Sequence, residues 1–337
     1  MISRAILFAV LYCPTVLLPA PSLTITDSLQ LSFPTKKGIL YQLERKSGNV
    51  WLPLENGILG TGKIYYIHLP RATYRLVQPR QKWVQVWSDE FDGDTLDLSK
   101  WSYEENNYGG GNNERQAYRI EEKYCRVKDG SLHLSVYRDA HTTSDGKTQP
   151  YSSARLRSLG RGEWTFGRFE VRAKVPAGSG MWPAVWMLPS KPKYGPWPAS
   201  GEIDILESRG SRISETTGAL HFGPPWPDNT FMAHAYQFPG GKDGTSFHLY
   251  TLEWSAEKIK WFVDKELAQT RIRTDWFTPT QPKSSSAPFD QPFHLLLNLA
   301  VDGKFFEKTN QSADQIPASA FPQTFLIDYV RVSQWAD

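Results

Sequence analysis

The chain has 337 residues, 40% of them hydrophobic and 22% charged, with a formal net charge of +3 and a pI near 8.6. That is enough to bury the core of one large domain and leave an appendage. The charges are interspersed, which gives little support to a nucleic-acid partner or an anionic membrane surface.

The opening "MISRAILFAVLYCPTVLLPAPS", residues 1–22, has a basic start, an apolar stretch short for a membrane span, and a small-residue end at Ala20-Pro21-Ser22. It reads as a secretory signal, which implies export and no membrane attachment once it is cleaved. Cleavage removes Cys13 and leaves Cys125 alone, so no internal disulfide forms. Cys125 is expected to be a buried small hydrophobe.

Residues 23–80 carry the alternating runs "LQLSF", "ILYQLER" and "KIYYIHL", separated by "KKG", "KSGN" and "GTG". Such punctuation belongs to hairpin turns, and the segment reads as a small β module with a spacer or docking role. Trp51 is its single tryptophan.

From residue 81 to 337 strand-like segments follow one another: "LHLSVYR", "RFEVRAKV", "AVWML", "HLYTLEW", "KIKWFVD", "FHLLLNLAV" and "FLIDYVRVSQW". No strongly amphipathic helix intervenes. The pattern predicts an all-β sandwich of two antiparallel sheets. Thirteen tryptophans exceed what such a core needs, and flat apolar rings beside polar groups suit sugars.

The densest chemistry lies in "GEIDILES", residues 201–208. On a strand, Glu202 and Asp204 share a face while Ile203 and Ile205 point the other way. Glu207 is out of phase and joins that face only if a β-bulge near Leu206 absorbs one residue. With the bulge, Glu202 and Glu207 lie roughly 13 Å apart at the backbone, at about 3.3 Å per step. Leaning side chains then leave roughly 5 Å between the carboxyl groups, the separation of a retaining glycosidase. Glu202 is the expected nucleophile, Glu207 the acid and then base, and Asp204 a partner that raises a neighbour's pKa.

The surrounding "SGMWPAVWMLPSKPKYGPWPASGEIDILESRG" resembles family 16 of the glycoside hydrolases, in its laminarinase branch. The resemblance runs from "WSDEFDG" to "IDYVRV". It implies a β-jelly roll with a cleft on its concave sheet, and cleavage of β-1,3-glucan such as laminarin with retention. It also implies cleft roles for Trp182, Trp186 and Trp197, for Asn113, Glu114 and Gln116 of "NNERQAY", for Arg155 of "SARLRS" and for His221 of "ALHFG". No cofactor is needed for such chemistry. Members of the family often hold a structural calcium, which here corresponds to Glu90, Gly130 and Asp328. A monomeric endo-acting enzyme is the leading expectation. Glucan recognition without hydrolysis, or action on a galactan such as agar or carrageenan, are the alternatives.

Overall fold

A computed structural model describes residues 22–25, 29–34, 40–48, 50–53, 58–59, 63–69, 72–77, 82–143, 146–281 and 285–336. The expected signal segment lies outside them except for Ser22, where the first strand begins, and so does the side chain of Trp51. The chain divides into two compact units, one of them Trp83–Trp335 and the other Met1–Lys82 with the last two residues.

In the smaller unit Leu40–Ser47 lies between Ala72–Val77 and Val50–Pro53, while Leu29–Pro34 pairs with Ile64–Leu69, all antiparallel. Ser47 pairs with Val50, leaving a two-residue turn in which Gly48 takes φ +59°, a conformation a side chain resists. Phe33, Tyr41, Leu43 and Tyr74 are buried, and the Phe33 and Tyr41 rings lie 6.0 Å apart.

The larger unit is a two-layer sandwich. One layer, the site sheet, runs in the order Thr230–Gln237, Glu215–Phe222, Glu202–Glu207, Met181–Pro189, Phe293–Val301, Arg155–Arg157, Ser102–Tyr103. The back sheet runs Cys125–Lys128, Ser131–Val136, Gln323–Ala336, Gly167–Lys174, His248–Trp254, Lys258–Val263, Glu266–Ile272. Period-two burial explains the strands: in Gly167–Lys174 every second side chain enters the core. Aromatic rings bind the layers, with Trp254 meeting Phe293 edge-on at 5.3 Å and Trp164 meeting Phe169 at 5.7 Å. Trp101, Trp164, Trp254, Trp261 and Trp276 are all buried there.

The expected bulge is present. Trp186 pairs with Asp204 and Val185 with Leu206, so Ile205 has no partner on that side. On the other side Asp204 pairs with Ala219 and Glu207 with Thr217, so Ile205 and Leu206 together face Gly218. Both aliphatic residues turn into the core, and the phase of the strand is reset at Glu207. The back sheet props this kink. Trp261 donates its indole N–H to the Asp204 carbonyl at 2.7 Å, and Gln269 donates to the Gly218 carbonyl at 2.8 Å. A Cβ on Gly218 would sit 2.5 Å from the Trp261 ring, so only glycine lets the indole reach the bulge.

Accordingly Gly218→Ala and Trp261→Phe should each destabilise the fold by about 1–3 kcal/mol, through overpacking in one case and an unpaired buried carbonyl in the other. Urea denaturation of both variants measures this; wild-type midpoints would show that the back sheet does not hold the bulge.

Candidate active site

The reset phase sets Glu202, Asp204 and Glu207 on the face of the site sheet turned away from the core. Each glutamate has its own indole donor. Trp197 donates Nε1–H to Glu202 Oε2 at 2.7 Å, and Trp182 donates Nε1–H to Glu207 Oε1 at 2.9 Å. Asp204 is almost fully buried between them. His221, directly opposite Glu202 on the neighbouring strand, brings Nε2 to 3.3 Å from Asp204 Oδ2 and 3.7 Å from Glu202 Oε1.

Burial and crowding separate the proton affinities. Burial, reinforced by the charge of Asp204, pushes the Glu207 carboxyl up to about 8, so it holds a proton at neutral pH. Burial and the Glu202 charge push Asp204 up to about 6. Burial also raises Glu202, but there the His221 charge and the Trp197 N–H oppose it, favouring the ionised form. Burial disfavours the His221 cation, yet Glu202, Asp204 and Glu207 outweigh it and push the imidazole up to about 10. The arrangement puts two carboxyl groups of different environment on one face, with an Asp–His pair beside them, as an acid and a nucleophile would require.

The other expected residues fall into two groups. Trp186 lies across the sheet from Asp204, donates to Asn298 Oδ1 at 2.7 Å and carries the Arg155 guanidinium 4.7 Å from its ring. Arg155 is buried and also approaches Glu104 at 3.4 Å. The "NNERQAY" segment departs from expectation. Gln116 donates to Glu114 at 2.7 Å and accepts from the Val301 N–H at 2.7 Å, so both ends of its buried amide are engaged within the protein. Glu114 is buried over Gly110, where an added Cβ would stand 2.2 Å from its carboxylate. These two side chains knit the loop together, and of the three only Asn113 is exposed. Cys125 is buried as expected, with its thiol pushed up to about 12 by burial.

Several residues at the site carried no signal in the sequence. Ala184 pairs with Glu207 and with Asn298, and its small side chain leaves room between Trp182 and Trp186. Phe231 is exposed and stacks on His221 at 5.6 Å, and exposed Trp226 bonds through its backbone to the Trp197 carbonyl. Phe305 stacks on Trp182 at 4.4 Å. Only strand register and loop closure bring these positions to the acids.

For calcium the donor set is thin. Glu90 commits its carboxylate to Arg331, at 2.9 and 2.7 Å, which leaves its main-chain carbonyl. Asp328 gives Oδ2 to Arg172, and the carbonyl of Gly130, in the turn before Ser131–Val136, completes the expected set. Among the described residues, the one cluster of three metal-type side chains is Glu202, Asp204 and His221 itself.

The raised proton affinity of Glu207 has a consequence for stability. Between its ordinary 4.5 and about 8 the folded state binds more protons than the unfolded, so stability falls as pH rises through that window. Glu207→Gln should therefore melt higher than wild type at pH 8, with the gain fading toward pH 4.5. Thermal melts across pH test this, and a constant difference would contradict the raised value.

The comparisons with known proteins agree with this geometry. The pattern of glycosyl hydrolases family 16 matches residues 112–289, more than half of the chain. A beta-glucanase of Rhodothermus marinus is 39% identical over 260 residues, covering 76% of this chain and 86% of that protein. A glucan endo-1,3-beta-glucosidase A1 of Niallia circulans is 38% identical over 258 residues; they cover 73% of this chain but only 37% of that longer protein. The X-ray structure of the laminarinase from Rhodothermus marinus superposes with a TM-score of 0.66 at 38% identity, over 77% of this chain and all of that one. Matched by the family's pattern over more than half of its length and sharing its frame with these proteins, the chain belongs to glycosyl hydrolases family 16.

Proposed function

We propose that this protein is a secreted, endo-acting β-1,3-glucanase that hydrolyses laminarin-like glucans with retention of configuration. One observation carries the chemistry: Glu202 and Glu207 share a face, each with its own N–H donor; burial raises both carboxyls, Glu207 up to about 8, while the His221 cation beside Glu202 is the first group to oppose the rise there. Glu202 attacks the anomeric carbon as Glu207 transfers its proton to the departing glycosidic oxygen. The carbon–oxygen bond breaks and a glycosyl ester forms on Glu202. Glu207, now ionised, takes a proton from water as the water oxygen attacks the same carbon and frees Glu202. Asp204 and His221 act as a charge-paired unit that keeps Glu202 ionised without neutralising Glu207.

The exposed rings of Trp197 and Phe231 both lie against His221 at the Glu202 end, as a platform for a sugar. The β-1,3 linkage is supported by the relatives, which are named as laminarinase and endo-1,3-beta-glucosidase. Export as a monomer without a required cofactor completes the reading. The back-sheet residues suit a structural calcium only through the carbonyls of Glu90 and Gly130 and the free oxygen of Asp328. Calcium should then raise the melting temperature, and Asp328→Asn should abolish the rise; an unchanged melt with calcium removes the ion from the account.

Reducing ends released from laminarin, lichenan, agarose and carrageenan test the activity. Wild type should act on the β-1,3-containing glucans alone, and Glu202→Gln should lose roughly 10⁴-fold or more, the scale of losing a catalytic group that acts as part of a unit. The profile of kcat/KM should fall on its basic side near pH 8 as Glu207 ionises, and on its acid side above the ordinary glutamate range as Glu202 is protonated. Inactivity on every polymer with retained laminarin binding would favour the recognition-protein reading, and release from agarose or carrageenan the galactan reading.

A further inference from the structure

We propose that Arg209 and Phe305 are positioning residues that hold the acid Glu207 through Trp182; this rests on the reading of Glu207 as the proton donor. The four residues close a ring drawn from three chain segments. The Trp182 N–H meets Glu207 Oε1 at 2.9 Å, and the indole lies on the Phe305 ring at 4.4 Å with only 17° between planes. The far side of the stack is the Arg209 guanidinium, 3.8 Å from the Phe305 centroid, whose Nε donates to the Phe305 carbonyl at 3.0 Å. Arg209 is two residues beyond Glu207, so the column starts at the end of the acid strand and returns to the segment that directly follows it.

Phe305 is not on a loose loop. Its short turn, Lys304–Phe306, follows Phe293–Val301 and is anchored on both sides. Asp302 N donates to the Gly180 carbonyl at 2.7 Å, beside the start of the Trp182 strand, and Lys304 N donates to the Asn112 carbonyl at 2.7 Å. The Asp302 carboxylate accepts from Arg115 at 2.9 Å and from the Ala313 N–H at 2.8 Å, and Phe306 is buried. The ring that covers Trp182 is therefore fixed to the frame. Without it the indole can rotate away, and Glu207 loses the donor that aims its other oxygen at the substrate.

Charged groups around Glu207 set the electrostatic readout. Asp204 and Glu202 come from its own strand, His221 from the adjacent one, and Arg209 from the segment beyond. Glu215 lies 3.9 Å from Arg209 and 3.5 Å from Arg212, orienting the guanidinium from behind. An N–H donor and a cation both favour the ionised carboxyl, so losing either moves the basic side of the rate profile to higher pH.

The test compares laminarin with an aryl β-laminaribioside whose dinitrophenol departs without protonation. For Phe305→Ala and Phe305→Leu, kcat on laminarin should fall about ten- to a hundredfold with KM within about threefold, the scale of a displaced catalytic group. The first-turnover burst of dinitrophenol, which reports glycosylation alone, should change less than about threefold in rate, as expected when the leaving group needs no acid. The basic limb should move up in both variants and in Arg209→Met, and Phe305→Tyr should restore the wild-type profile. A rise in KM with unchanged kcat and limb would overturn the proposal, making Phe305 a sugar-stacking ring. Equal losses on both substrates would overturn it too, as a structural effect. Glu207→Gln serves as reference on the same first-turnover burst, because the residue is also the base of the second step: if its burst rate falls as much as its rate on laminarin, the acid assignment fails; if its burst is spared while that of the Phe305 variants is not, only the positioning role fails.

Discussion

The site depends on one hydrogen bond across the core, from the Trp261 indole to the carbonyl of Asp204. A strand alone cannot show residues 202, 204 and 207 on the same face. The chain meets that constraint by doubling Ile205 and Leu206 opposite Gly218, and a bulge leaves backbone groups that must be satisfied elsewhere. Trp261 and Gln269, from the opposite layer, satisfy them. The catalytic geometry is thus a property of the packed sandwich rather than of the acid strand.

One buried and two half-buried carboxyl groups beside one imidazole form an unfavourable arrangement in any fold. Their environments turn that strain into a division of labour. Glu202 and Glu207, the proposed nucleophile and acid, each accept from an indole N–H, which is a neutral donor. A lysine in either place would fix the carboxylate in its ionised form. An indole orients the group and still lets Glu207 alternate between acid and base. The nearest cation is His221, next to Glu202 and Asp204, with Arg155 and Arg209 acting more weakly on Glu202 and Glu207.

The fold was legible because period-two alternation is written directly into the strands. "RFEVRAKV" became Gly167–Lys174 in this way, whereas "FHLLLNLAV", a near-continuous apolar run, became Phe293–Val301, a central strand buried at every residue. The bulge was legible because Glu207 stands out of phase with Asp204. Other features were hidden in tertiary closure. Trp182 and Trp197 suggested sugar platforms, yet their N–H groups also aim the two glutamates. Gln116 looked free in a polar segment, but its amide is closed onto Glu114 and Val301. Phe305 and Arg209 lie almost a hundred positions apart, and their contact depends on how the turn after Phe293–Val301 folds back.

The assignment of roles on the bulged strand is tested most directly by trapping the glycosyl-enzyme. Incubation with an activated 2-deoxy-2-fluoro laminaribioside, then digestion and mass spectrometry, locates the attached sugar. The account predicts a single label on Glu202. A label on Glu207, or a fully active enzyme that never acquires one, would contradict it.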